Sequence, residues 1–274
     1  MALRTRRIAR WTWPLTGFAI GLFAAELNIG MGRMQAALLT FATGAEAIVA
    51  ATIMNKRPRR RLLGLSGLTR LLVAALVASA LSTLIVHIGL AVGAQPWRIE
   101  HAGLWFSSHA FGMLLFVPLF ALGTRSLRTR QSEKGLFNLV IFLLAVGGVT
   151  IGVFSQSLYP LLFLVPPVLV LVVANDGIRG AVLGLLVVTI ITAVFTHLGR
   201  GPTSLMTQDY HAGLLITQLF LLTNAVMVLA AGATVSEGRR LQRQLETSRE
   251  RLRERGEKER ELLGTALLAE RMSN

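Results

Sequence analysis

Apolar residues run along this chain in long blocks and do not alternate with polar ones. Eight blocks stand out, at 11–30, 34–54, 71–92, 104–122, 136–154, 158–174, 181–199 and 213–233, with charges gathered at their ends. Most approach the ~20 residues a helix needs to cross the hydrocarbon of a bilayer. Lipid offers a backbone no hydrogen-bond partner, so each crossing must be helical. The short alternating segments of a membrane β-barrel are a different pattern. The fold class expected is therefore all-α: a polytopic transmembrane helix bundle of about eight spans. The sixth block, "LLFLVPPVLVLVVA", carries Pro166 and Pro167. Proline removes a backbone donor and crowds the preceding turn, so this span should kink or break. The break would serve packing, or line a cavity as a hinge.

Composition agrees, with 53% hydrophobic residues in 274. The formal net charge of +14 would suggest nucleic acid in a soluble protein, but here its distribution points elsewhere. With a cytoplasmic N-terminus and eight spans, fifteen of the 28 basic residues fall in inner segments. Only Arg33, Arg98 and Arg200 fall in outer loops, and the remaining ten lie in the C-terminal tail. Such a bias sets orientation: both termini cytoplasmic, in a bacterial inner membrane, with lipid as the first partner and no nucleic acid. The basic start "ALRTRRIAR" runs into the first apolar block and reads as a retained signal anchor. The chain has no cysteine, so disulfides, thiolate metal sites and thiol nucleophiles are excluded.

Orientation assigns depth to the polar residues. His87, His109 and His197 sit toward the outer ends of the third, fourth and seventh spans, and His101 and His211 fall in outer loops. Glu26 and Asn28 close the first span on the same side. His109 lies five residues below its boundary, or roughly 7–8 Å at the helical rise. These rings either bond interfacial backbone and serines, or line an outward pocket for a small molecule, a proton or an ion. His87, His109 and His197 are the weak candidates for a metal, or for haem between spans, since imidazole suits both. No cofactor is required by the sequence. Glu46 differs, lying near the middle of the second span. An ionised carboxylate there costs on the order of 2.5–3.5 kcal/mol, so it should be protonated or face a partner inside the bundle. Gly44 and Ala45 beside it suggest close helix packing. Gln218 and Asn224 in the last span are expected to bond across helices. "NDGIRGA" at 175–181 reads as a tight inner turn with Gly177 supplying a permissive backbone. Neither a nucleophile–base constellation nor a phosphate loop stands out, so catalysis is not expected.

From residue 237 the composition turns charged, dividing the chain into a membrane sensor domain, 1–236, and a cytoplasmic linker, 237–274. Leu241, Leu245 and Leu252 keep a three–four spacing that Leu262 and Ala266 resume, an interrupted heptad softened by Gly256. This pattern fits a signalling helix that pairs in a homodimer and carries motion out of the membrane. The chain stops at "AERMSN" without a folded output domain, as a fragment or a partner-dependent protein would.

The order of these pieces resembles the first class of membrane-associated sensor domains, the MASE type. The family's "WWLGDALGVLLFAPLLLAL" is similar to "LWFSSHAFGMLLFVPLFAL" here, with His109 standing at the aspartate of "LGD". Its "ALRFGLRGA" is similar to "VANDGIRGA", and its "GLGPF" loop to "HLGRGPTS". "WPLTGFAIGLFAAELNIG" and "FATGAEAIVAATIMNKR" follow its opening motifs, with Glu46 on the family's acidic position. The resemblance implies a sensory input module that precedes a diguanylate cyclase (GGDEF), phosphodiesterase or histidine kinase output, with cyclic di-GMP signalling the leading context. Two alternatives from other classes remain. Glu46, Glu26 and a broken sixth span would suit a small ion-coupled transporter, and the three histidines a metalloenzyme.

Overall fold

Long apolar blocks become long helices when every backbone group must find its partner within its own segment. The computed structural model describes residues 2–55, 64–92, 99–126, 133–205, 207 and 209–273, without the side chains of 2–14, 99–100, 124–126, 133–134, 204–205 and 259–273. Its α-helices are α1 (Ala2–Asn28), α2 (Arg33–Met54), α3 (Leu65–Val92), α4 (Ile99–Ser126), α5 (Glu133–Ser155), α6 (Val165–His197) and α7 (Tyr210–Ser273). Among the described residues there is no strand. Six of these helices are long and apolar enough to cross a membrane, with α6 counted once.

Helix α6 is in fact two arms. Gly177 interrupts it at φ 61°, ψ −138°, a conformation open to glycine and strained for other residues. Beyond it the chain doubles back. A Cβ on Gly180 would stand 2.5 Å from the Val172 carbonyl oxygen, and one on Gly184 3.0 Å from Leu169. In a straight helix those pairs would be ~12 Å and ~22 Å apart along the axis. Residues 165–176 and 178–197 therefore form a hairpin. With its two arms counted separately, α6 brings the α-helical segments among the described residues to eight, of which the first arm is twelve residues, or ~18 Å, long.

The reversal is not where the prolines put a break. Pro166 and Pro167 occupy the start of α6, directly after a short 3₁₀ turn, Leu161–Leu164. A helix start has no intrahelical use for the first N–H groups, so proline fits there without a kink. The expected interior break at Pro166 and Pro167 is thus corrected to a helix start, and the chain turns at Gly177 instead.

The helices pack as a chain of neighbours: α1 on α2, α2 on α3, α3 on α4, α4 on α7, α7 on α6 and α6 on α5. Helix α7 joins the two halves. Its Leu221, Ala225, Val228 and Leu229 enter the main core with Leu169, Val172, Leu185 and Val188 of α6. A smaller core holds Leu39, Ala42, Val86 and Leu90, with Trp105 against it. On α3 the buried stripe is small: Ala74, Ala75, Ala78, Ser79 and Ser82. Small residues let backbones approach where no hydrophobic effect operates between helices in lipid. Large apolar side chains such as Phe41, Ile48, Leu144 and Ile190 point outward, where a bilayer supplies acyl chains to meet them. Gly44 does not mediate close packing: a Cβ there would meet nothing within 4 Å.

Candidate functional site

Two residues 63 apart in sequence meet inside the first half of the bundle. His109 Nδ1 lies 2.5 Å from Glu46 Oε2. The other carboxylate oxygen, Oε1, accepts a hydrogen bond from Ser79 Oγ at 3.1 Å. Glu46 is only 4% exposed, so both of its oxygens are satisfied away from lipid, as an acid at this depth requires. One proton lies between the ring and the acid: either Nδ1–H donates to a carboxylate, or a carboxyl O–H donates to Nδ1.

Trp105, one turn before His109, stacks on the imidazole with ring centroids 4.3 Å apart and planes at 23°. Its indole N–H donates to Ser82 Oγ at 2.9 Å. Ser79 and Ser82 lie three residues apart on one face of α3. The centre is therefore built by three helices: α2 gives the acid, α3 the two hydroxyls, and α4 the stacked ring pair. Trp105→Phe keeps an aromatic surface against His109 but removes the bond to Ser82. Its expected cost is about 1 kcal/mol, read from thermal unfolding of the purified protein.

Helix α4 begins at Ile99, so His109 is ten residues into it, or ~15 Å along the axis. Glu46 is thirteen residues into α2, ~20 Å from the end on the same side of the bundle. In a hydrocarbon layer ~30 Å thick both stand near the middle. The His109 side chain is 22% exposed where it meets Glu46.

A second contact ties this region to α7. Ser107 Oγ, two residues before His109, donates to Gln218 Oε1 at 2.5 Å. Gln218 bonds across helices as expected, whereas Asn224 bonds within its own helix, to Phe220 O at 2.8 Å. A third polar pair lies apart: Thr40 of α2 donates to the buried Glu26 of α1 at 3.2 Å.

The other candidates do not join the centre. His87, His197 and Asn28 are exposed on their helices. His211 packs edge-to-face on His101 at 5.2 Å. Among the described residues no group of three or more histidine, cysteine, aspartate or glutamate side chains could hold a metal. His87, His109 and His197 do not form such a group. Sequence reasoning did not assign Ser79, Ser82 or Trp105 to the site. The signal available was the pair of serines at helical spacing on an otherwise apolar stripe of α3.

A polytopic helical bundle that keeps an acid–imidazole pair satisfied at mid-depth is an integral membrane module. A family model for MASE1 matches residues 4–239. The chain belongs to that family, whose members are membrane sensory input domains rather than catalytic ones. No curated protein and no solved structure matches the chain.

Proposed function

We propose that the bundle senses its signal at the Glu46–His109 centre and relays it through α7 to a cytoplasmic output domain, of the diguanylate cyclase or histidine kinase kind. The observation that carries this reading is the continuity of α7. One helix of 64 residues holds Gln218 against Ser107 beside the centre, and then leaves the bundle as the charged tail. A signal that repositions α4 at His109 acts on the same rod that emerges ~27 Å further along, near Ser236. The family match ends at residue 239, which supports a division into a membrane domain, 1–236, and a linker, 237–274. The basic inner loops support cytoplasmic termini in an inner membrane.

The relay needs a partner for its seam. Leu241, Leu245 and Leu252 are 51%, 62% and 67% exposed. Leucines repeated on one face of a solvated helix favour pairing with a second copy. Leu262 and Ala266 continue the seam, and their side chains lie outside the described residues. Single cysteines introduced into this cysteine-free chain at 241, 245 and 252 should cross-link between chains in membranes several-fold more than one at 243. Equal, low cross-linking at all four positions would count against the dimeric relay.

A further inference from the structure

At the hairpin of α6 two helix ends meet, and each has unfilled backbone groups. The arm ending at Asn175 presents terminal carbonyls, and the arm starting at Ile178 presents terminal N–H groups. Helix α7 serves both. The guanidinium of Arg239 donates to Ala174 O at 2.6 Å and to Asn175 O at 3.0 Å. The Ile178 N–H donates to Ser236 Oγ at 2.9 Å. One side chain thus caps the negative end of the first arm with a cation, and another does the work of an N-cap for the second arm from a different helix. Gly232 lets the backbones close: a Cβ there would stand 2.9 Å from the Ile178 Cα.

Residues 232, 236 and 239 fall at i, i+4 and i+7, on one face of α7. At 100° per residue this face points ~165° away from the face that carries Leu241, Leu245 and Leu252. The elbow therefore holds α7 by its back and presents the leucine seam outward.

We propose that Ser236 and Arg239 are positioning residues of the relay: they clasp the α6 elbow and so fix the rotation with which α7 leaves the membrane. The proposal rests on the relay reading given above. Arg239 is exposed, and water can replace it at the Ala174 and Asn175 carbonyls, so its loss leaves the bundle folded. What is lost is the fixed direction of the seam. Ser236, half-buried, is the second point of attachment, and without it the elbow N–H has no partner on α7.

The test uses the full chain in proteoliposomes, spin-labelled at Leu171→Cys on the first arm and Leu245→Cys on the tail, and diluted with unlabelled chain. The distance distribution between the labels should be narrow in the parent. It should broaden at least two-fold in Arg239→Ala and in Ser236→Ala, with thermal unfolding unchanged for Arg239→Ala. Arg239→Lys, which still donates to a carbonyl, should restore much of the narrow distribution. A distribution unchanged in both alanine variants would overturn the clasp. So would an Arg239→Lys profile as broad as that of Arg239→Ala, because a specific donor would then not be what holds the tail. The measurement is within one chain, so absence of cross-links between tails would sink the dimeric relay and leave this result standing on its own.

Discussion

Gly180→Val is expected to be among the most damaging single substitutions in the bundle. Its Cβ would enter the Val172 carbonyl, at 2.5 Å, and a backbone oxygen inside a packed hairpin cannot move aside as a side-chain tip can. Overpacking a well-filled interior costs about 1–3 kcal/mol and occasionally more, and contact with backbone belongs at the upper end. The hairpin joins α5, α6 and α7, so the loss spreads through the main core. The expected readout is a fall of several degrees in the melting temperature of the detergent-solubilised protein, with lower yield from membranes. Gly44→Ala is the matched control. No atom lies within 4 Å of its added Cβ, and a helical glycine replaced by alanine gains roughly 0.5–1 kcal/mol. Opposite signs at two helical glycines are the diagnostic result. Equal tolerance at both would mean that the arms of α6 do not pack back on each other.

The second large effect is expected at the acid–imidazole pair. His109→Ala leaves the Glu46 acid, itself only 4% exposed, with the Ser79 hydroxyl alone. Removing one partner of a buried pair costs about 3–5 kcal/mol, mostly for the group left behind. Glu46→Gln is expected to cost far less, about 1 kcal/mol, because an amide can still accept from Ser79 and bond the ring. The double variant should be less unstable than the sum of the two, with a coupling of about 1–3 kcal/mol in equilibrium unfolding. Additive losses would show that the two groups do not act as a pair.

How much of this was legible in the chain depends on the range of the physics involved. The membrane bundle was, because exclusion from water acts on each twenty-residue block separately and leaves its mark locally. The turn at "NDGIRGA" was legible too, since glycine and its polar neighbours report on the backbone at that point. Pro166 and Pro167 misled for the same local reason. Proline breaks the middle of a helix and suits its beginning, and only the position of the helix start distinguishes the two outcomes. Glu46 and His109 were each visible as anomalies in apolar segments, but nothing in either segment names the other.

The clasp was hidden in another way. Gly232, Ser236 and Arg239 share a helix face, a pattern that could have been found, yet a serine and an arginine at a membrane boundary are ordinary there. They acquire a role only because the α6 elbow arrives beside them with bare carbonyls and N–H groups.

The sequence by itself determined that this chain is a polytopic helical bundle of the MASE1 kind, with an acid at mid-depth and a charged helix leaving its end. Those properties follow from the cost of placing apolar and charged groups in the wrong medium, which each segment meets alone. The tertiary structure decided which residues share that cost: that Glu46 is satisfied by His109 and Ser79, that the two arms of α6 pack back on each other, and that α7 is held at Ser236 and Arg239. Hydrogen bonds and close packing act over a few ångströms between atoms far apart in the chain, so their partners exist only once the helices are side by side.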